Sequence, residues 1–224
     1  MIKKYIRIAF AIIAFPLIFA GCEVFGLDLQ EPYDYDYEAG TYDNHINMTV
    51  WEFVQTRQDL FPIMKEAIEY AEMQNMYNEP AATYLLLADK AFNSTTSTDL
   101  SYFQTHKLYE RPGDETSLYA PISMTQYPKE QVKEFLLYHI VKGAHTWSNL
   151  PAEPKWFDSY ASADTAKVNM YLIKDRNPNI VFNNFNGHYK PEIKPRTSNL
   201  LSTSGAYIHV VESWIDRPTK DILK

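Results

Sequence analysis

Cysteine is all but missing from this chain: Cys22 is the only one. No internal disulfide can form, so stability must come from a packed core, and 46% hydrophobic content can supply it. Glycine is scarce as well. Seven scattered glycines compose no phosphate-cradling loop, and no Gly-x-Ser-x-Gly elbow occurs. His-Glu-x-x-His is absent, and His45, His106, His139, His145, His188 and His209 are dispersed. His139 and His145 are near neighbours, but two imidazoles make no zinc site without a third ligand. No metal, no cofactor and no catalytic residue is therefore nominated. A Ser-His-Asp triad or a carboxylate pair needs only to converge in space, which leaves a hydrolase acting on cell-wall or plant esters as a third reading. Long apolar runs are lacking too. The one candidate, Ile8 to Ala20, falls short of the roughly 20 residues that span a bilayer.

That run has other features. Lys3, Lys4 and Arg7 precede it, and Phe19-Ala20-Gly21-Cys22 follows. A basic start, a short apolar centre and a small-residue junction read as an export signal. Cysteine directly after Ala-Gly resembles a bacterial lipoprotein box, with Phe19 where leucine is usual. The resemblance implies lipid on Cys22 and an outer-membrane, surface-exposed lipoprotein held to the membrane by that lipid. Removing residues 1–21 takes three of the 21 basic residues and no acidic one, leaving 18 against 28, a net charge of −10. Nucleic acid is thereby an unlikely partner, and electrostatic adhesion to an anionic membrane is disfavoured, so the lipid must anchor.

Residues 22–47 lack a sustained period and are dense in Asp, Glu, Tyr and Gly, as expected of a flexible tether. Asp34, Asp36 and Glu38 alternate faintly like a calcium loop, but Ala39 and His45 stand where Gly and Glu are required. The same alternation could dock as a strand on a partner's sheet edge. The folded part is expected over 48–216, with a tail at 217–224. Thr49 is placed to cap a helix VWEFVQT, and Asp59 to cap a second with Pro62 in its first turn. Leu60, Ile63, Met64, Ala67, Ile68 and Ala71 recur at helical spacing. A β-like run covers Thr83 to Leu87, and a turn of helix follows at Asp89 to Phe92. A helix from about Pro128 carries Val132, Phe135, Leu136 and His139 on one face. VNMYLIKD and IVFNNF read as a hairpin, and AYIHVVESWI as a closing strand with Ile208 and Val210 on one side.

The order of these parts resembles a fasciclin domain. LLADKAF keeps Ala88, Asp89, Ala91 and Phe92 of the family's strand-to-turn pattern, without its Pro-Thr pair. Tyr138-His139 with Val141-Lys142-Gly143 matches its Tyr-His element, and Ser204 to Ile215 its closing strand, with one residue added. The resemblance implies one α+β domain, helices packed on a twisted, mostly antiparallel β-wedge. It also implies an adhesive role around Tyr138 and His139. Read from the residues alone, His139 ends an amphipathic helix, where it bonds a backbone carbonyl or, as a cation, complements the helix dipole.

The aromatic inventory of 17 Tyr, 12 Phe and 4 Trp suits either contact surfaces or a β-rich core with Tyr at its margins. Residues 93–127 and 144–166 look like enlarged loops, where binding groups usually lie. Tyr102, Phe103, Tyr109, Tyr119 and Tyr127 lie in the first. Trp147, Trp156, Phe157 and Tyr160 lie in the second, which Pro151 and Pro154 keep from becoming a helix. At least one of the two indoles is expected to be exposed; the alternative is that these rings fold back onto the core. Asp164-Thr165-Ala166 looks like a bacterial O-glycosylation acceptor, making Thr165 a candidate. The first expectation for function is a non-enzymatic lipoprotein that mediates adhesion or binds a protein partner, such as an outer-membrane nutrient (glycan) uptake complex. The second is a surface-glycan binder stacking sugars on its loop aromatics.

Overall fold

The computed structural model describes residues 23–24, 27–28, 43–93 and 100–224; the export segment and Cys22 lie outside them. Two compact units are separated, Met1–Tyr42 and Asp43–Lys224. In the first, β1 (Glu23–Val24) and β2 (Leu27–Asp28) pair antiparallel. The second holds α1 (Val50–Thr56), α2 (Pro62–Tyr70), β3 (Ala82–Leu87), α3 (Asp89–Phe92), α4 (Tyr102–Thr105), β4 (Leu108–Tyr109) and β5 (Leu118–Tyr119). It continues through α5 (Lys129–Tyr138), β6 (Ile140–Lys142), β7 (Lys155–Asp158), β8 (Lys167–Ile173), β9 (Asn179–Phe182), β10 (Pro195–Leu201) and β11 (Tyr207–Val211). The class is α+β.

Local chemistry explains the first helix. The Thr49 hydroxyl accepts the Glu52 N–H at 3.2 Å while the Glu52 carboxylate accepts the Thr49 N–H at 2.8 Å. This capping box satisfies two amide donors that a helix start leaves orphaned. The bonds from Thr49 hold the Glu52 carboxyl below its ordinary range. Thr49→Ala should cost about 1 kcal/mol of unfolding free energy in urea and Thr49→Ser only a fraction of that; equal losses would show that the hydroxyl does not act as the cap.

The second helix starts differently from expectation. Phe61, not Asp59, is its N-cap, and no side chain caps it. Asp59 is instead taken by Arg57, which donates to it from Nε at 2.9 Å and from a terminal nitrogen at 2.8 Å. Pro62 at the helix start removes one donor that would lack a partner there. Met64, Ala67, Ile68 and Ala71 face the core, with Leu60 and Ile63 partly buried beside them.

Four strands order as β10-β11-β3-β6. The pairs β10-β11 and β3-β6 are antiparallel, but the central pair β11-β3 is parallel. Every residue of β3 is buried, which is why ATYLLL reads as continuous rather than alternating apolar sequence. The same holds for Ile208 to Val211 of β11, including His209, so the closing strand has no solvent face. A second, antiparallel sheet orders as β7-β8-β9. Between strand ends, Asn183 adopts a left-handed conformation at φ 45°, a region where Asn is among the residues best tolerated.

The tether and tail boundaries shift. Residues 43–48 lie in the compact unit: Leu201 N–H donates to Asn44 O at 2.8 Å and Ile46 N–H to Leu201 O at 3.0 Å. Arg217, expected in a tail, donates to Glu134 O at 2.9 Å. The stretch 93–127 is not wholly irregular either, since it builds α4 and the β4-β5 hairpin.

Candidate functional site

On α5, Gln131, Glu134, Phe135 and Tyr138 follow one another at helical spacing and share a face. The segment following β11, Trp214 to Arg217, runs beside this face, and α4 with His106 closes a third side. Between them lies a groove of about 270 Å³. That volume suits one bulky side chain rather than a drug-sized ligand, whose pockets run from roughly 300 to 1,000 Å³.

Aromatic rings form its floor. Tyr102 lies flat on His106 with centroids 4.1 Å apart and meets Phe135 at 4.6 Å. Trp214 stacks on Tyr189 at 4.1 Å with planes 3° apart, and meets Tyr102 edge-on at 5.7 Å. Its indole N–H donates to Leu100 O at 2.8 Å. Much of each ring face is thus covered by another ring. Burial pushes the Tyr102 hydroxyl up to about 12, so it stays neutral.

The rim is polar. Glu134 receives the Ser162 hydroxyl at 3.0 Å and a terminal Arg217 nitrogen at 3.3 Å. Partial burial pushes its carboxyl up, but the hydrogen bonds from Ser162 and the Arg217 guanidinium outweigh this and hold it below the ordinary value. The guanidinium also sits 5.1 Å from the Tyr138 ring centre, an attractive cation–π placement. The Tyr138 hydroxyl is taken up by the protein: it reaches Lys167 O at 2.9 Å and Asp216 O at 3.1 Å, and accepts the Asn183 amide at 2.9 Å.

Of the residues nominated from sequence, Tyr102 and Tyr138 meet at this groove. Both are buried rather than exposed, at 4% and 2% accessibility. His139 is behind them, also buried, and does not line the groove. The imidazolium considered for it does not form at neutral pH. Burial lowers it to about 4, while Nδ1 bonds Phe135 O at 2.8 Å and Nε2 accepts the Ile215 N–H at 3.3 Å. Phe103 and Tyr127 likewise fold back into the core, whereas Tyr109 is exposed. Trp147, Trp156, Phe157 and Tyr160 do not line the groove. Trp147 is 41% exposed. Trp156 is half-buried against Phe185 at 5.4 Å, Phe157 against His145 at 4.2 Å, and Tyr160 lies under Lys142. Thr165 is half-buried in the turn before β8.

Sequence reasoning missed Trp214, His106, Glu134 and Arg217. The helical spacing from Gln131 to Tyr138 was the one available signal, because the other walls come from distant segments. The imidazoles bond mainly to the backbone: His145 to Lys142 O, His188 to Lys190 O and His209 to His145 O. Among the described residues no three His, Cys, Asp or Glu side chains group so as to hold a metal, and no helix is long and apolar enough to cross a membrane.

No family model and no curated protein matches the chain. Among solved structures, the chain is similar to a FAS1 domain pair from the insect cell adhesion molecule fasciclin I, at 13% identity and a TM-score of 0.47. The match covers 78% of this chain and 52% of that one, so the chain spans about half the length of that structure.

Proposed function

We propose that this chain is a lipid-anchored envelope protein whose folded unit is a non-catalytic binding module, taking a bulky side chain of a protein partner into the groove between α5 and residues 214–217. The observation that carries this reading is the groove's composition: aromatic rings of Tyr102, Phe135 and Trp214 with Gln131, Glu134 and Arg217. Buried aromatic anchors surrounded by polar groups are the usual makeup of an interface centre. Engagement of the imidazoles by backbone groups argues against acid–base chemistry there. The export signal and Cys22 support anchoring through lipid, and an outer-membrane uptake complex is the concrete partner class.

A photo-crosslinking side chain placed at Gln131, which is exposed, tests the site in cells. It should capture one discrete envelope protein, while the same group at exposed Glu115 should not; equal capture from both positions would reject the groove. Cys22→Ser should move the protein out of washed membrane fractions, since stable anchoring takes more than one acyl chain at about 0.8 kcal/mol per buried CH₂. A mutant that stays on the membrane after high-salt washing would remove the lipid anchor from the reading. One observation favours a second reading, a surface glycan: the exposed Trp147 indole offers a face for stacking. Retention on a glycan array that is lost in Trp147→Ala would choose it over the groove.

A further inference from the structure

Three consecutive residues on one side of the groove are each met by an imidazole, and the three rings come from three separate parts of the fold. His106, just after α4, packs edge-on against Trp214, with centroids 4.7 Å apart and planes at 85°. His139, ending α5, accepts the Ile215 N–H through Nε2 at 3.3 Å. His188, in the connection from β9 to β10, accepts the Asp216 N–H through Nε2 at 3.1 Å. In each of the last two, Nδ1 faces a carbonyl, Phe135 O at 2.8 Å and Lys190 O at 2.7 Å. For His139 that arrangement assigns the proton to Nδ1 and the lone pair to Nε2. For His188, whose Nδ1 also lies 3.3 Å from the Lys190 N–H, the shorter carbonyl contact and the Asp216 N–H at Nε2 give the same assignment. A second proton would turn an acceptor into a donor pointing at another donor.

We propose that residues 214–217 are an acid-releasable strap: protonation of His188 and His139 cancels the hydrogen bonds that hold two successive strap amides, and the strap loosens over Ile215 and Asp216. The groups facing these rings set the order of events. His188 is half-buried beside the Phe185 and Tyr189 rings, with the Asp216 carboxylate favouring its charged form. Burial outweighs this and lowers it. His139 is fully buried against Phe135 and Tyr138, and the Arg217 charge adds to the effect of burial. His106 is lowered by burial, partly offset by its bond to Tyr102 O and by Asp216. His188 therefore charges before His139. At neutral pH the strap has other ties: Arg217 to Glu134, Tyr189 Oη to Trp214 O at 2.7 Å, and Lys190 to the neighbouring Ser213 hydroxyl at 2.7 Å. Just upstream, Glu212 is paired with Lys90 and Arg196. None of these needs a neutral imidazole, nor do the bonds from the Tyr138 hydroxyl and the Asn183 amide to Asp216 O, so acid frees the Ile215 and Asp216 amides while β11 stays in the sheet. The device stands whether or not the groove is a partner site.

Amide hydrogen exchange on the full chain tests it, with rates corrected for the intrinsic effect of pH. Between about pH 7 and about pH 5, protection of Ile215 and Asp216 should fall by at least about tenfold more than that of Leu85 to Leu87 of β3, which follows the global stability. In His188→Gln the amide oxygen can stand where Nε2 stood and accept at any pH. That variant should hold the strap closed to lower pH than the parent. The proposal is overturned if strap and β3 lose protection by the same factor, if the strap stays protected throughout, or if His188→Gln opens at the same pH as the parent. Should the variant not fold at neutral pH by circular dichroism, the parent's strap-against-β3 comparison decides alone.

Discussion

Trp214→Ala should destabilise the fold by about 3–5 kcal/mol, the range for deleting a buried large aromatic. The indole is 4% exposed, stacked on Tyr189, edge-on to Tyr102 and His106, and bonded to Leu100 O. Its removal leaves a cavity that rings from three segments cannot readily close, because each is already held by others. Urea unfolding monitored by far-UV circular dichroism would measure this. Trp214→Phe keeps most of the packing and gives up the N–H, so its loss should be well under half as large. A loss below about 1 kcal/mol for the alanine variant would mean that the site collapses freely and that Trp214 is no keystone.

Acid should weaken the protein well before its carboxylates are titrated. His139 and His209 are both fully buried, and burial lowers each from an ordinary 6.5 to about 4. His209 sits in β11, where Nε2 bonds His145 O at 3.0 Å and Nδ1 accepts the Asn199 N–H at 3.3 Å. Between the two values the folded chain binds fewer protons than the unfolded one. The stabilisation is complete above about 6.5 and is lost as pH falls toward about 4. At about 1.4 kcal/mol per pKa unit, each ring supplies at most about 3 kcal/mol, and the pair several. Glu52 and Glu134, whose folded values are depressed, act in a lower window, below the ordinary carboxylate range. Unfolding free energies at about pH 7, 5.5 and 4.5 should therefore decline steadily. A flat profile across that range would show that both rings are already relaxed or solvated.

The parts of the fold that could be read from sequence are those whose causes are local. Helix α1 begins and ends as expected because Thr49 and Glu52 satisfy each other within one turn. The β8-β9 hairpin and the β3 run follow from residue type and length. Asp59 failed as a cap for an equally local reason, an arginine two positions earlier that binds both carboxylate oxygens, a competition that capping statistics omit. The loop aromatics divided in a way no window of sequence contains. Tyr102 turned inward because Phe92, Phe135 and Trp214 were there to receive it. Trp147 stayed 41% exposed although Leu150, three positions on, is buried.

By itself, then, the sequence determined the charge, the export-like start, the single thiol, and the helices and strands set by caps and periodicity. These depend on interactions spanning a few residues, which the chain order already contains. The tertiary structure alone decided that a helix face, a short turn and the residues after the last strand would make one groove. It also decided that His139 and His188 would each present a lone pair to the same strap. Those contacts join residues far apart in the chain, where burial and hydrogen-bond geometry, rather than residue type, set each ring's charge and each aromatic's exposure.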